Sequence, residues 1–173
     1  MNLISITGPE STGKSSLAEA LANHYNTVWV EEYAREYLSE IGRQYEFGDI
    51  VKIAKGQLLR ENNKKEEAAK FLFCDTDMLV CKIWSEFRYG RTDPWIRKMV
   101  ENHRYDLYLL CDIDLPWEED PLREHPHRRK ELFDLYIYEL KRLKLPFELV
   151  SGHGKCRLDS AISIIDKTFK TDI

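Results

Sequence analysis

The segment that most constrains the fold is G-P-E-S-T-G-K-S at residues 8–15. A short apolar run at residues 3–7 precedes it, and an amphipathic segment at residues 14–24 follows it. A strand, a glycine loop of this spacing and a helix together make a phosphate-binding loop, in which backbone N–H groups turn inward around phosphate oxygens. The helix N-terminus adds partial positive charge at the same place. The segment therefore predicts an α/β protein that binds a nucleoside triphosphate.

The residue types in this loop predict a site for ATP and Mg²⁺. Lys14 can bridge the β- and γ-phosphates, and the Ser15 hydroxyl can bind Mg²⁺. The simpler alternative is a glycine turn capped by a serine. The other residues expected to bind ATP are Gly8, Glu10, Ser11, Thr12, Gly13 and Ser16.

Apolar runs alternate with helical patterns along the rest of the chain. Further strands are expected at residues 28–30, 71–74, 107–111 and 147–150, with helices between them. This alternation predicts an α/β fold with a P-loop kinase-like parallel sheet of about five strands and helices on both faces. The nearly all-polar stretch at residues 60–67 is expected to be a solvated helical face. We expect one domain over residues 1–173, with its ligand beyond the carboxyl ends of the strands.

The composition narrows the class of protein. Of the 173 residues, 43% are apolar, and the net charge is −4, which argues against a general nucleic-acid or membrane binder. No apolar run approaches the roughly 18 residues that span a bilayer. The four cysteines form no C-x-x-C pair, so neither a zinc site nor a disulfide framework is indicated, and three of them lie in apolar runs as expected of buried thiols. We expect a cytoplasmic protein whose partners are small molecules.

The acid that follows the third strand is the expected second metal ligand. Asp75 ends the run 71–74, so its carboxylate should emerge beside the phosphate loop and hold Mg²⁺ together with Ser15. The alternative role is capping of the next helix, which Asp75, Thr76 or Asp77 can perform. Asp77 is expected to face the same cleft and to contact the acceptor.

A pair of glutamates closes the second strand, which is expected to lie next to the first strand. A carboxylate there can take the proton of an acceptor hydroxyl as general base. Arg35 lies three residues after Glu32, on the same face if a helix starts at once. The alternative is a surface Glu–Arg pair with little energetic effect.

The segment at about residues 112–130 is expected to be a mobile lid. It contains Arg123, Arg128 and Arg129, and arginines on a lid can stabilise charge on the transferring phosphate. A closed lid also excludes water from the reaction. Trp117 is expected either to stack on a flat or cationic substrate ring or to anchor the lid. The alternative is a solvated charged loop.

Four motifs in order resemble the ribosylnicotinamide kinase domain of the NadR family of P-loop NTPases. They are the loop at 8–15, E-Y-A-R-E-Y at 32–37, F-C-D-T-D at 73–77, and D-L-P-W-E-E-D-P-L-R at 114–123 followed by Arg128 and Arg129. The resemblance covers nearly the whole chain. It implies transfer of the γ-phosphate of ATP to the 5′-hydroxyl of nicotinamide riboside, which gives nicotinamide mononucleotide.

The resemblance also implies roles for individual residues. It places Glu32 and Arg35 at the riboside site, with Glu32 rather than Glu31 as the base, and Asp75 and Asp77 around the metal and the acceptor. The first strand begins at residue 3, so no DNA-binding or adenylyltransferase domain is expected upstream. The alternative functions are a P-loop kinase for another nucleoside or nucleotide, and a small regulatory ATPase.

Overall fold

Five strands form one parallel sheet in the computed structural model, which describes residues 1–170. Their order across the sheet is β2-β3-β1-β4-β5, and every neighbouring pair is parallel. This confirms the predicted α/β class and strand number. The strands are β1 (Asn2–Thr7), β2 (Trp29–Val30), β3 (Phe71–Asp75), β4 (Leu107–Cys111) and β5 (Phe147–Val150).

Seven helices connect these strands and cover the sheet. Helix α1 starts at Lys14, within the phosphate loop, as its pattern predicts. Helix α2 starts at Tyr33, so Glu32 and Arg35 lie at its first turn. The helices are α1 (Lys14–His24), α2 (Tyr33–Glu40), α3 (Phe47–Lys64), α4 (Met78–Tyr89), α5 (Pro94–Asn102), α6 (Arg129–Arg142) and α7 (Gly154–Phe169).

Alternate residues of the central strands point into two separate cores. In β3, Leu72 and Cys74 belong to one core, while Phe71 and Phe73 belong to the other. The first core is closed by α3 to α6 and the second by α1 and α7. Because both faces are covered, β3 and β4 are apolar almost throughout rather than alternating, which is the pattern that made them recognisable.

One expectation about the sheet is wrong: β2 does not lie next to β1. Strand β3 lies between them, with Ile6 of β1 paired to Asp75 and Val30 of β2 paired to Cys74. Strand β2 has two residues and sits at the sheet edge, whereas β3 is completely buried. Asp75, at the end of β3, therefore lies directly beside the phosphate loop. The glutamates after β2 are separated from that loop by Asp75.

The polar stretch at 60–67 is not solvated along its whole length. Glu61 of α3 is 1% exposed, accepts a hydrogen bond from the Tyr105 hydroxyl at 2.7 Å, and forms an ion pair with Lys65, whose Nζ lies 3.1 Å away. The thiols of Cys74, Cys81 and Cys111 are free and buried, as expected. Within residues 1–170, no helix is both long and apolar enough to cross a membrane.

Candidate active site

A cavity of about 1060 Å³ opens at the carboxyl ends of β1 and β3. The phosphate loop and Asp75 form its polar floor, and the lid covers one side. The opposite wall is apolar and aromatic. It is lined by Val80, Ile83, Trp84, Phe87, Leu132 and Tyr136.

The phosphate loop has the backbone geometry that its glycines predict. Gly13 caps α1 with φ 74° and Gly8 has φ 134°, both in the region that side chains disfavour. A Cβ on Gly8 would also lie 3.0 Å from the carbonyl oxygen of Cys111, so the loop packs tightly on the end of β4. Lys14 Nζ and Thr12 Oγ1 each donate to the Pro9 carbonyl, at 2.8 Å, which keeps the lysine folded over the loop.

Ser15 and Asp75 form a site whose donor set suits Mg²⁺. The Ser15 hydroxyl donates to Asp75 Oδ2 at 2.5 Å, while Asp75 Oδ1 is buried and has no hydrogen-bond partner. Burial, and then the nearby charge of Glu32, raises the pKa of Asp75 to about 6, although Lys14 and Arg35 oppose this. An unpaired carboxylate oxygen beside a loop serine can be satisfied by a divalent cation, and Mg²⁺ commonly takes one or two carboxylates plus substrate phosphates.

Asp77 does not reach the cavity, which corrects the expectation that it faces the cleft. Its side chain is fully buried and caps α4 by accepting the Val80 N–H at 2.8 Å. Its other oxygen accepts a hydrogen bond from the Ser5 hydroxyl of β1. The helix-capping alternative therefore describes Asp77, because it lies one residue beyond the turn at Thr76, whose φ of 78° directs the chain away from the site.

Glu32 and Arg35 meet at the cavity, whereas Glu31 is more exposed. Glu32 Oε2 lies 3.4 Å from Arg35 Nε, and Glu32 Oε1 accepts a long hydrogen bond of 3.4 Å from Thr76. Arg35 also donates to Asp120 Oδ2 of the lid at 2.8 Å. The Glu32 carboxylate thus lies near Asp75 and beside an arginine that is bound to the lid, and a carboxylate there can accept a proton.

The three predicted lid arginines differ in their surroundings. Arg123 lines the cavity, and its guanidinium donates to Ser11 Oγ at 3.3 Å. Arg129 donates instead to two backbone carbonyls, of Ser11 at 2.9 Å and of Leu115 at 2.8 Å, from the first turn of α6. Arg128 is turned outward, where it pairs with Glu131 at 2.8 Å. The structure thus brings only Arg123 of the three to the cavity wall, and the expectation that any of them can reach the phosphates is corrected for the other two.

Trp117 and Glu10 also have surroundings other than those expected. Trp117 does not line the cavity and lies under the Arg129 guanidinium, 5.9 Å from ring centroid to Cζ, so it anchors the lid. The Glu10 carboxylate accepts the backbone N–H groups of Glu124 and His125, at 3.1–3.2 Å. Glu10 therefore joins the phosphate loop to the lid.

Two cavity residues were missed from the sequence. Arg157 of α7 is 4% exposed and contacts the phosphate loop, and Asp120 holds Arg35 to the lid. Arg157 lies four residues before Ala161 and so on the buried stripe of α7, and a charged residue on such a stripe was the available signal. Asp120 gave no signal, because the lid is rich in acids.

Comparisons with known proteins identify relatives of this chain. The family described as AAA domain matches residues 3–157. The trifunctional NAD biosynthesis/regulator protein NadR of Escherichia coli strain K12 is 33% identical over 152 residues, which are 83% of this chain and 37% of that protein. The Salmonella typhimurium LT2 protein of the same name is 32% identical over 150 residues, again 83% and 37%. The chain thus spans well under half of the length of these relatives.

Solved structures share the fold. A NadR protein in complex with NR has a TM-score of 0.87 at 22% identity, covering 99% of this chain and 52% of that one. Deoxyadenosine kinase from M. mycoides has a TM-score of 0.68 at 13% identity, with coverage of 95% and 99%. Thymidylate kinase from Ehrlichia chaffeensis has a TM-score of 0.67 at 10% identity, with coverage of 95% and 98%. These likenesses confirm the predicted P-loop kinase-like fold.

Proposed function

The chain belongs to the family described as AAA domain, and from that premise we propose that it is an ATP-dependent kinase for nicotinamide riboside. The reaction transfers the γ-phosphate of ATP to the riboside 5′-hydroxyl and gives nicotinamide mononucleotide. The observation that carries this proposal is the convergence of a phosphate loop, Asp75 and Glu32 in one lidded cavity. The identity to NadR proteins, one of which is solved in complex with NR, supports the choice of acceptor.

The phosphate end of the site suits the binding of ATP. Loop N–H groups and the N-terminus of α1 face the triphosphate, and Lys14 exchanges its contact with the Pro9 carbonyl for the β- and γ-phosphates. Mg²⁺ would be held by Ser15 and Asp75, where it would neutralise charge on the phosphate oxygens. Arg123, beside Ser11, approaches the same oxygens from the lid.

Glu32 supplies the proton acceptor for the riboside hydroxyl. Its carboxylate lies on the far side of Asp75 from the phosphate loop, so a hydroxyl between them faces the γ-phosphate. Arg35 holds that carboxylate in place and joins it to Asp120 of the lid. Lid closure and alignment of the base are therefore linked through one guanidinium.

The apolar wall supports an acceptor with a flat, positively charged ring. Trp84 and Phe87 offer aromatic rings to the cavity. Three acids, Glu36, Asp120 and Glu124, also line it, each paired with an arginine. The pyridinium ring of nicotinamide riboside is flat and cationic, and cations are attracted to aromatic faces. A neutral nucleobase gains less from this arrangement.

We further propose that residues 1–173 act as a single domain, with the lid between β4 and α6. The free buried thiols, and the use of ATP as the phosphate donor, favour action in the cytoplasm. Small molecules rather than nucleic acids or membranes are the proposed partners.

Acceptor-dependent release of ADP tests this function. With ATP and Mg²⁺ present, nicotinamide riboside should trigger stoichiometric ADP and nicotinamide mononucleotide formation, while ATP alone should give little ADP. Purine and pyrimidine nucleosides serve as competing acceptors, because the fold is shared with deoxyadenosine kinase. If the protein phosphorylates one of these nucleosides in preference to nicotinamide riboside, that nucleoside becomes the assigned acceptor. Equal ADP release without any acceptor would instead favour a regulatory ATPase.

A further inference from the structure

Arg157 is a buried cation that the mechanism above does not use. It lies in the first turn of α7, and its side chain borders the cavity although the residue is only 4% exposed. A buried guanidinium is costly unless its donors are all satisfied, and here its hydrogen bonds converge from four separate segments.

Four backbone carbonyls and one carboxylate surround this guanidinium. Nε donates to Gly152 at 2.9 Å, and Nη2 donates to the Asp112 carbonyl at 3.3 Å and to the Asp114 carboxylate. Nη1 donates to Val150 at 3.3 Å and to the Thr12 carbonyl at 3.2 Å. The ends of β4 and β5, the root of the lid and the phosphate loop are therefore tied to one side chain.

The contact with Thr12 bears directly on phosphate binding. The carbonyl of Thr12 and the N–H of Gly13 belong to one planar trans peptide and point in opposite directions. Holding the carbonyl against Arg157 therefore fixes the Gly13 N–H in the direction away from Arg157. Gly13 has φ 74°, a conformation that glycine adopts without the penalty of a side chain, so this peptide has few restraints of its own.

We infer that Arg157 is a positioning residue for the phosphate loop, which fixes the Thr12–Gly13 peptide so that the loop is ready for a triphosphate. Asp114 orients it, since Asp114 Oδ1 accepts from Arg157 while Oδ2 accepts the Gly152 N–H at 2.6 Å. A lysine cannot replace it, because a single ammonium lacks the five donors in fixed directions that these acceptors require. The inference depends on one part of the proposed function, namely that the phosphate loop binds ATP.

The test compares Arg157→Met and Arg157→Lys with the control Lys82→Met. Lys82 is also a buried cation, with ion pairs to Glu86 at 2.7 Å and Glu139 at 3.1 Å, but it does not line the cavity. Calorimetry measures the Kd for ATP with Mg²⁺ and the Kd for nicotinamide riboside, and thermal unfolding measures stability. A merely structural role would lower the unfolding temperature in all three variants and leave ATP affinity alone.

We expect Arg157→Met to raise the Kd for ATP by about 10-fold or more, the effect of one lost charged hydrogen bond, with the riboside Kd unchanged. Arg157→Lys should recover only part of this loss, and Lys82→Met should keep the wild-type Kd for ATP. A folded Arg157→Met protein with wild-type ATP affinity overturns the inference. If that variant does not fold, Asp114→Asn decides, because it loosens the guanidinium without removing its charge: a raised Kd for ATP supports the inference, and an unchanged one overturns it. The proposed acceptor can fail separately, since ATP affinity is read without transfer.

Discussion

Asp75 carries a charge that is unfavourable in the empty site at neutral pH. Its pKa is raised from 3.8 to about 6, first by burial and then by the charge of Glu32. Between those two pH values the unfolded chain has lost the proton and the folded chain still holds it, so stability falls as pH rises through this window. In the proposed complex, Mg²⁺ and the charge of Lys14 would compensate this carboxylate. A group that lowers stability without ligand is expected at a functional site.

We therefore predict that Asp75→Asn stabilises the protein without ligand while preventing transfer. Above about pH 6 the variant should be more stable than wild type, by an amount on the order of 2 kcal/mol, and below about pH 4 the difference should vanish. Urea unfolding in the absence of Mg²⁺ at several pH values measures this. A variant that is less stable than wild type at pH 7.5 would show that Asp75 has a purely structural role.

The two glutamates after β2 give a matched pair at the residue scale. Glu32→Gln keeps the side-chain shape and the hydrogen bond from Thr76 but removes the charge and most of the basicity, so kcat should fall by at least about 10²-fold with little change in ATP affinity. Glu31→Gln should be nearly silent, because Glu31 is exposed and lacks these contacts. Steady-state kinetics with nicotinamide riboside compare them. A larger effect from Glu31→Gln would assign the base to the other glutamate.

At the element scale, the lid is closed onto the phosphate loop by contacts of different kinds. Glu10 accepts two lid N–H groups, Arg129 donates to the Ser11 carbonyl, and Arg35 pairs with Asp120. Two of these are backbone contacts that fix the lid position, and the third is a half-exposed ion pair that contributes little stability by itself. Glu10 and Arg129 therefore hold the lid against the phosphate loop. Arg35 instead connects the lid to Glu32, the base proposed for the acceptor.

Arg123 is the lid arginine that we predict to act on the transition state. Arg123→Ala should lower kcat far more than it raises the KM for ATP, because the interaction forms with the charge that develops during transfer. Arg128→Ala is the control, since Arg128 lies over the Phe87 ring at 4.0 Å and pairs with Glu131. Equal losses in the two variants would contradict the assignment.

The elements were predictable where burial leaves one choice. Runs such as 71–74 and 107–111 are apolar on both faces, so their strands follow from the sequence. The neighbour of β1 was not predictable from a two-residue β2, because so short a strand carries no pairing information. The direction of a lid side chain depends on loop backbone angles, so Arg123 and Arg128 looked equivalent in the sequence. Asp77 looked like a site residue because capping and metal binding both favour an acid after a buried strand.

At the scale of the whole molecule, the sites proposed for the two ligands lie at opposite ends of one cavity, and each ligand should stabilise the fold independently. Mg²⁺–ATP at 100 times its Kd should raise the free energy of unfolding by about 2.7 kcal/mol. Nicotinamide riboside alone should also raise the free energy of unfolding, because its proposed contacts are with the aromatic wall and Glu32 rather than with the phosphate loop.

Lys14→Ala separates the two ends, and we predict that it abolishes transfer while the fold survives. The loop loses its only lysine, so the stabilisation by Mg²⁺–ATP should shrink sharply, whereas stabilisation by the riboside should equal that of wild type. Glu32→Gln is the matched control, because it should keep the full ATP effect. Thermal unfolding of the three proteins with each ligand makes the comparison. A Lys14→Ala protein with normal turnover would remove the phosphate-loop assignment, and a wild-type protein that the riboside does not stabilise would remove the acceptor assignment alone.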